Sequence, residues 1–281
     1  MTEHRKSARI FPHIVLWISI VIIIFPLYFV FVASTRTSAE ILSAPMPLFP
    51  GTHLIENYSK ALLDGAKNLG ASALTMMKNS FIMAMGISVG KIVVSLLAAF
   101  AIVFFDFRGR KFCFWAIFIT LMLPVEVRIM PTYKVISDLG LLNSYAGLIL
   151  PMIVSATAVF LFRQFFLSVP REIAEASQID GASSMQFFGS ILLPMTRTPI
   201  ASMFVIQFIY GWNQYLWPLL ITTKQEYYTL LIGINRMLSG ADVQIEWQIV
   251  MATVLLAMIP PVIVVIVMQK QFVAGMTDTE K

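Results

Sequence analysis

The chain carries very little charge for its length. Asp, Glu, Lys and Arg make up 12% of its 281 residues, whereas 58% of the residues are hydrophobic. Soluble domains usually carry about 25% charged residues. The scarcity excludes a surface that faces water throughout, so lipid must surround much of the chain. The net charge of +5 is then better explained by basic residues at the ends of membrane helices than by nucleic-acid binding, and we expect no nucleic-acid partner.

Cysteine and histidine are also scarce. Cys113 is the single cysteine, and the three histidines, His4, His13 and His53, lie in separate segments. One thiol cannot form an internal disulfide, and no Cys/His cluster offers a metal site. We therefore expect no metal, no catalysis by cysteine or histidine, and no enzymatic activity in this chain.

Long apolar runs are abundant. A bilayer-spanning helix needs about 20 apolar residues, and the N-terminal run 14–32 is too long for a cleavable signal. Continuous runs such as 262–267 do not alternate, which favours helices over a barrel. We predict an all-α integral membrane protein of about six transmembrane helices, with residues 1–281 forming one domain. The predicted spans are 12–34, 77–105, 112–134, 145–167, 199–222 and 248–269.

Basic residues indicate the orientation. The turn 106–111 holds three of them, and basic residues mark cytoplasmic loops. We therefore place both termini in the cytoplasm. The outer segment 35–75 begins with a proline-rich stretch, after which we expect a short amphipathic helix that leads into the second span.

Ionisable residues inside the predicted spans have two interpretations each. Lys91 lies mid-span and either serves a translocation path or snorkels or pairs structurally. Glu126 and Arg128 lie between Pro124 and Pro131, in a span that the two prolines break. Arg128 either guides an anion or pairs with a neighbour at an outer helix end.

Polar residues also interrupt the fifth span. Trp212, Asn213 and Gln214 precede Pro218. The amides could contact a polar solute or another helix, and the aromatic residues could equally belong to an interfacial belt. We retain all three as candidates for the path, together with Lys91, Glu126 and Arg128.

The segment 168–198, between spans four and five, is too polar for the membrane. Pro170 suits the first turn of a helix from Arg171 to Ile179, with Ser168 as a candidate cap and Gly181 as the stop. This helix is rich in small residues, which favours docking into a groove on another protein over lying on the bilayer.

A second short helix follows in the same segment. Ser183 and Gln186 fit a capping box at its start, and we expect Pro194 to end it. Its apolar residues predict packing back onto the membrane domain; they are Phe187, Phe188, Ile191 and Leu192.

The segment also carries a spaced motif. Glu175-Ala176-Ser177 is followed after three residues by Gly181, and after nine more by Ile191 and then Leu193-Pro194. This spacing resembles the EAA signature of ABC importer permeases, although Ser177 stands where that family usually has alanine. In that family the loop holds the coupling helix, which fits a cleft in the ATP-binding subunit. The resemblance implies ATPase coupling by Glu172, Glu175, Ala176, Ser177, Asp180, Gly181 and Ala182.

Other segments extend the resemblance over essentially the whole chain. Asn57-Tyr58, residues 179–182, and Trp212-Asn213 with Pro218 are similar to the carbohydrate-uptake branch, whose best-known member is the maltose importer. Segments 118–128, 160–166, 208–220 and 268–273 are more similar still to permease subunits of sn-glycerol-3-phosphate importers. The resemblance implies the type I ABC importer architecture in a bacterial inner membrane. It also implies sn-glycerol 3-phosphate or glycerophosphodiesters as the cargo.

The energy source is expected outside this chain. No segment matches the phosphate-binding loop GxxxxGK(S/T), so ATP and magnesium are expected on a partner. The resemblance implies a second homologous permease subunit, an ABC ATPase dimer and an extracytoplasmic solute-binding protein as partners. Import of sugars is the alternative within the family. An ion-driven secondary transporter is the alternative outside it, but that class needs paired acids in the membrane, and only Glu126 is a candidate.

Overall fold

Every regular element of the described chain is helical, which confirms the all-α fold class. The computed structural model describes residues 3–67, 69–120, 125–239 and 244–277, with the side chains of all of these except 3–11, 125–126 and 270–277. The α-helices are α1 Glu3–Ser34, α2 Ser38–Ile41, α3 Leu54–Leu63, α4 Ala73–Phe104, α5 Arg110–Ile119, α6 Val125–Asp138, α7 Tyr145–Ile149, α8 Ala156–Ser168, α9 Arg171–Ile179, α10 Ser184–Phe187, α11 Leu193–Met195, α12 Arg197–Trp212, α13 Leu216–Ile221, α14 Leu230–Leu238 and α15 Trp247–Thr277. A π-helical turn, Phe188–Leu192, joins α10 to α11, and 3-10 turns lie at Leu150–Met152 and Gln225–Tyr227.

Three described helices are long and apolar enough to cross a bilayer. Their spanning parts are Pro12–Ser34 in α1, Ala73–Phe104 in α4 and Trp247–Gln269 in α15. A helix satisfies its own backbone hydrogen bonds, which lipid cannot do for it. These helices match the first, second and sixth predicted spans within a few residues.

Two further candidates are bent pairs of helices. Tyr145–Met152 and Ala156–Ser168 meet at 50°, and Ser184–Met195 and Arg197–Trp212 meet at 74°. The first bend lies where the hydroxyl of Ser155 accepts from the backbone N–H of Ala158 and starts a new helix. The described residues therefore contain three to five candidate spans.

Two predicted spans are divided in the structure. The third, 112–134, corresponds to α5 and α6, and Pro124 lies outside the described residues, at 121–124. The fifth, 199–222, divides into α12 and α13 because residues 213–215 are not helical. The count of six spans, and the treatment of residues 1–281 as one domain, stay predictions.

The chain forms two compact units, and the first comprises residues 1–75 and 233–258. The predicted short helix after the proline-rich stretch is α3. The amide of its buried Asn57 donates to the backbone oxygens of Ser34 and Arg36, each at 2.9 Å. The first of these bonds satisfies the carbonyl of Ser34, which the end of α1 leaves free, and the second ties α3 to the residues that follow α1.

Glu246 holds the loop after α3 close to the start of α15. Its carboxylate accepts from Nζ of Lys60 at 2.6 Å and from the backbone N–H of Lys67 at 3.0 Å. Burial alone would raise the pKa of Glu246, but the two hydrogen bonds and the lysine charges together lower it below its ordinary value. The carboxylate is therefore charged at neutral pH, and this tie weakens only in acid, as the pH falls through the lowered pKa.

The second unit comprises residues 76–232 and 259–281, and it contains two apolar clusters. In the first cluster Phe100 and Phe162 pack against Phe187 and Phe188. The second helix of the polar segment thus packs back as predicted. The second cluster surrounds Trp217, whose indole N–H donates to the carbonyl of Gly147 at 3.2 Å.

The polar segment 168–198 follows the sequence prediction in most respects. α9 runs from Arg171 to Ile179, and Gly181 follows it with a φ of 78°, a left-handed conformation that glycine adopts without strain. Ser183 and Gln186 form the predicted capping box. Ser177, however, is only 4% exposed, and its hydroxyl has no hydrogen-bond partner among the described residues.

One detail of that prediction is wrong: Ser168 does not cap α9, because its hydroxyl donates to the carbonyl of Phe165 in the preceding helix. The second helix runs from Ser184 to Met195 and ends one residue after Pro194, where the chain bends at Thr196. The sequence analysis also missed α14, whose Leu230, Ile232 and Met237 are buried.

Replacing Gly211 with alanine will destabilise the second unit. A Cβ atom there would lie 2.9 Å from the Cα atom of Ala84, so the backbones of α12 and α4 would have to separate. Such overpacking costs about 1–3 kcal/mol. Thermal unfolding of the purified chain in detergent should show a lower Tm for Gly211→Ala. Gly189→Ala is the control, because its Cβ atom would meet nothing within 4 Å; equal Tm values for both variants would contradict this close helix packing.

Ser177→Ala will stabilise the chain or leave it unchanged. The substitution removes a buried hydroxyl whose hydrogen bonding is unsatisfied, and that burial costs about 1–3 kcal/mol. Thermal unfolding should give a Tm equal to or above that of the parent chain. The exposed Ser190 provides the control, since Ser190→Ala should change stability by less than about 0.5 kcal/mol. A clear loss of stability in Ser177→Ala alone would show that the hydroxyl has a partner.

Candidate functional site

α9 presents one exposed side to solvent. Glu172, Glu175, Ala176 and Ile179 are exposed and recur at helical spacing, so they share a face. Ile179 is 86% exposed, which is unusual for a large apolar side chain. We call these four residues, with Asp180 and Gly181 at the end of the helix, the loop face.

The other side of α9 packs inward. Ile173 and Ala174 contact the first apolar cluster, and Ser177 is buried on the same side. Of the residues predicted for coupling, five therefore lie on the loop face; Ala182 is half-buried and Ser177 turns away from it. The structure thus places Ser177, the residue that departs from the EAA signature, in the interior.

A buried lysine forms the second candidate site. Lys91 in α4 is 6% exposed, and its Nζ donates to Oε1 of Gln207 in α12 at 3.0 Å. The same Nζ lies 3.7 Å from the ring centroid of Tyr210, a cation–π contact. Both partners are neutral, and no salt bridge to Lys91 occurs among the described side chains. Its charge is therefore solvated by the protein but not neutralised by these contacts.

Arg128 adds a second positive charge to this region. Its side chain is exposed, and its charge acts on the ammonium group of Lys91. The two cations therefore raise the same local potential, which favours an anion. The side chain of Glu126 lies outside the described residues, so its predicted role stays a prediction.

The three candidate residues at the end of α12 have different surroundings. Trp212 is buried and stacks on Phe208, with ring centroids 5.9 Å apart. Asn213 is exposed at the end of the helix. The amide of Gln214 donates to the backbone carbonyl of Tyr210 at 3.2 Å. The structure therefore places Gln214 against the backbone of Tyr210 and places Trp212 in the packing.

Gln207 and Tyr210 are the site residues that sequence reasoning missed. Gln207 is the single amide of α12 and lies between apolar residues, and such a residue needs a partner in lipid. Lys91 has the same requirement in α4, so the two isolated polar residues could have been paired. Tyr210 gave no such signal, because tyrosine is common near the membrane interface and the sequence does not mark a contact with a lysine.

Comparisons with known proteins agree with this architecture. Residues 91–278 match the family described as the binding-protein-dependent transport system inner membrane component. A crystal structure of a bacterial ABC transporter involved in the import of the acidic polysaccharide alginate has a chain of the same fold. Its TM-score is 0.83 at 21% identity, over 97% of this chain and 99% of that chain.

Full-length relatives are more similar in sequence. The sn-glycerol-3-phosphate transport system permease protein UgpE of Rhizobium meliloti is 55% identical, and that of Agrobacterium fabrum is 54% identical, each over 100% of both chains. The corresponding protein of Escherichia coli O6:K15:H31 is 53% identical over the same share. The chain therefore belongs to the inner membrane components of binding-protein-dependent transport systems, the permease subunits of ABC importers.

Proposed function

We propose that this permease subunit translocates sn-glycerol 3-phosphate, glycerophosphodiesters or both. The observation that carries the proposal is the buried ammonium group of Lys91, which has only neutral described partners and shares its field with Arg128. The full-length relatives named as sn-glycerol-3-phosphate permeases support the same cargo.

The chemistry of the lysine site suits a phosphoester. Basic side chains line pores for anions and phosphate, because a positive charge in a low-dielectric path lowers the cost of bringing an anion through it. Nζ of Lys91 now donates to the neutral amide oxygen of Gln207. When the path opens, a phosphate oxygen would replace that acceptor with a charged one, and a charge-assisted hydrogen bond is about twice as strong as a neutral bond.

The loop face supports coupling to an ATPase. Its exposed Ile179 offers an apolar anchor, and Glu172 and Glu175 offer charges to a basic partner. In the proposed cycle, ATP and magnesium bind to an ATPase dimer, whose closure moves α9. Because α9 lies between α8 and α12 in the chain, those helices carry the motion to the lysine site. This chain itself catalyses no reaction.

The proposed assembly has further members. A second homologous permease subunit completes the path, and an extracytoplasmic binding protein delivers the cargo. The chain crosses the bacterial inner membrane several times, with both termini in the cytoplasm and the loop face on the cytoplasmic side. The basic turn 106–111 supports this orientation.

The cargo can be tested with the purified complex of this chain and its partner subunits. We expect glycerol 3-phosphate and glycerophosphodiesters, delivered by the binding protein, to stimulate ATP hydrolysis, whereas maltooligosaccharides do not. Lys91→Met should reduce uptake of the phosphoester at least about tenfold, because it removes a charge-assisted bond of about 1.5–3 kcal/mol. Lys91→Arg should retain more uptake than Lys91→Met, since it keeps the charge.

The control for these lysine variants is Lys134→Met, because Lys134 is an exposed basic residue of the same unit. Uptake of the phosphoester by the complex with Lys134→Met should match that of the parent complex. Stimulation by sugars alone would instead assign the chain to sugar import. Unchanged phosphoester uptake in Lys91→Met would remove the lysine site from the path.

Coupling can be tested on the loop face. Glu175→Lys reverses one exposed charge, and Gly181→Asp strains the left-handed turn. Both variants should stop ATP-dependent uptake while leaving insertion and assembly of the membrane subunits intact. Glu226→Lys changes an exposed glutamate outside the loop face and should leave uptake unchanged. Uptake that survives in both loop variants, or that an ionophore alone abolishes, would favour an ion-driven transporter.

A further inference from the structure

A large cavity in the second unit lies beside α9 and outside the lysine site. It has a volume of about 760 Å³ and is bounded by the end of α4, by α5, by the second half of α8 and by α9. Its walls combine basic side chains with an apolar surface. None of the described side chains proposed for the translocation path lines it.

The charge in the cavity is predominantly positive. Four basic residues line it, Arg110, Lys111, Arg163 and Arg171, together with two acidic residues, Asp106 and Glu175. Asp106 lies 3.6 Å from Arg110 and is almost fully exposed, so it compensates only that arginine. Among the described residues, no ion pair is formed by the other three basic side chains. The side chains that line the cavity therefore carry a net positive charge, which favours binding of an anion.

Arg163 is the most constrained of these cations. Its guanidinium group stacks over the ring of Phe114, with Cζ 4.1 Å from the ring centroid. Its Nε atom is shielded from solvent and has no hydrogen-bond partner among the described residues. A buried donor without an acceptor is costly, and a planar guanidinium group is suited to phosphate oxygens. The side chain is thus held in place and lacks the acceptor that an anion would supply.

The apolar wall narrows the class of anion. Phe114, Trp115 and Leu167 line the cavity beside the basic side chains, and Trp115 and Leu167 are more than half exposed. An inorganic ion would leave this surface in contact with water, whereas a phospholipid would cover it with glycerol and acyl carbons. Basic pockets between transmembrane helices are also known to bind lipid headgroups.

We propose that this cavity binds a phosphate-bearing anion, namely the headgroup phosphate of an anionic phospholipid, on Arg163, Lys111 and Arg171. Arg171 begins α9, so the bound phosphate contacts the helix that carries the loop face. The lipid thereby steadies α9 against α8 and makes coupling sensitive to membrane composition. This site is independent of the cargo and does not rest on the identity of the transported solute.

Fluorescence quenching at Trp115 tests the proposal. The assembled transporter is placed in phosphatidylcholine nanodiscs that contain either brominated phosphatidylglycerol or brominated phosphatidylcholine. The difference from Trp115→Phe isolates the signal of this tryptophan from the other four. We expect stronger quenching by the anionic lipid. The lipid concentration for half-maximal quenching should rise about tenfold in Arg163→Gln and about fivefold in Lys111→Gln.

Two comparisons make the outcome decisive. Arg197→Gln removes an exposed basic residue outside the cavity, so the anionic lipid should quench the fluorescence of this variant as it does that of the parent complex. Lys111 is exposed, so its variant remains informative if Arg163→Gln fails to assemble. Equal quenching by both lipids, or an unchanged preference in the variants, overturns the lipid assignment. If inorganic phosphate instead changes the fluorescence of Trp115, and Arg163→Gln abolishes that change, the site binds phosphate from solution and not a lipid. If neither inorganic phosphate nor the anionic lipid changes the fluorescence of Trp115, the site itself is overturned.

Discussion

A backbone amide in lipid has no water to bond, so each apolar segment of this chain must satisfy its own hydrogen bonds as a helix. The three longest helices, α1, α4 and α15, run as single helices through their apolar parts, although Pro26 in α1 and Pro260 and Pro261 in α15 have no backbone N–H to donate. The same requirement applies at the ends of helices, where another group must form hydrogen bonds with the free backbone N–H and C=O groups. Ser155 does so at the start of α8, and Asn57 does so at the end of α1.

The interruptions coincide with the features that concern function. α12 ends at Trp212, close to the contacts that Gln207 and Tyr210 make with Lys91. The bend at Thr196 connects this helix to the segment that carries the loop face. A bend between two helices is a place where their relative angle can change, as the proposed coupling requires.

Positive charge is used in two different settings within the second unit. Lys91 is buried between neutral partners, where a low dielectric strengthens its attraction for an anion. Arg163 is stacked on an aromatic ring in an open cavity, where shape and an apolar wall select the ligand. The first setting suits transient contact with a passing solute, because Lys91 can return to its neutral partners, Gln207 and Tyr210, after the solute leaves. The second suits a resident ligand.

The sequence by itself determined the fold class, the polar segment and most of its local structure. Composition excluded a water-exposed globule, and Gly181, Ser183 and Gln186 predicted their turn and cap because these are local backbone effects. Only the tertiary structure decided the partners of Lys91, the inward position of Ser177 and the cavity around Arg163. Those features join helices that are distant along the chain, and the hydropathy of a span does not specify which of its sides meets which neighbour. Local signals therefore predict where helices begin and end, whereas the chemistry of the sites depends on how the helices pack.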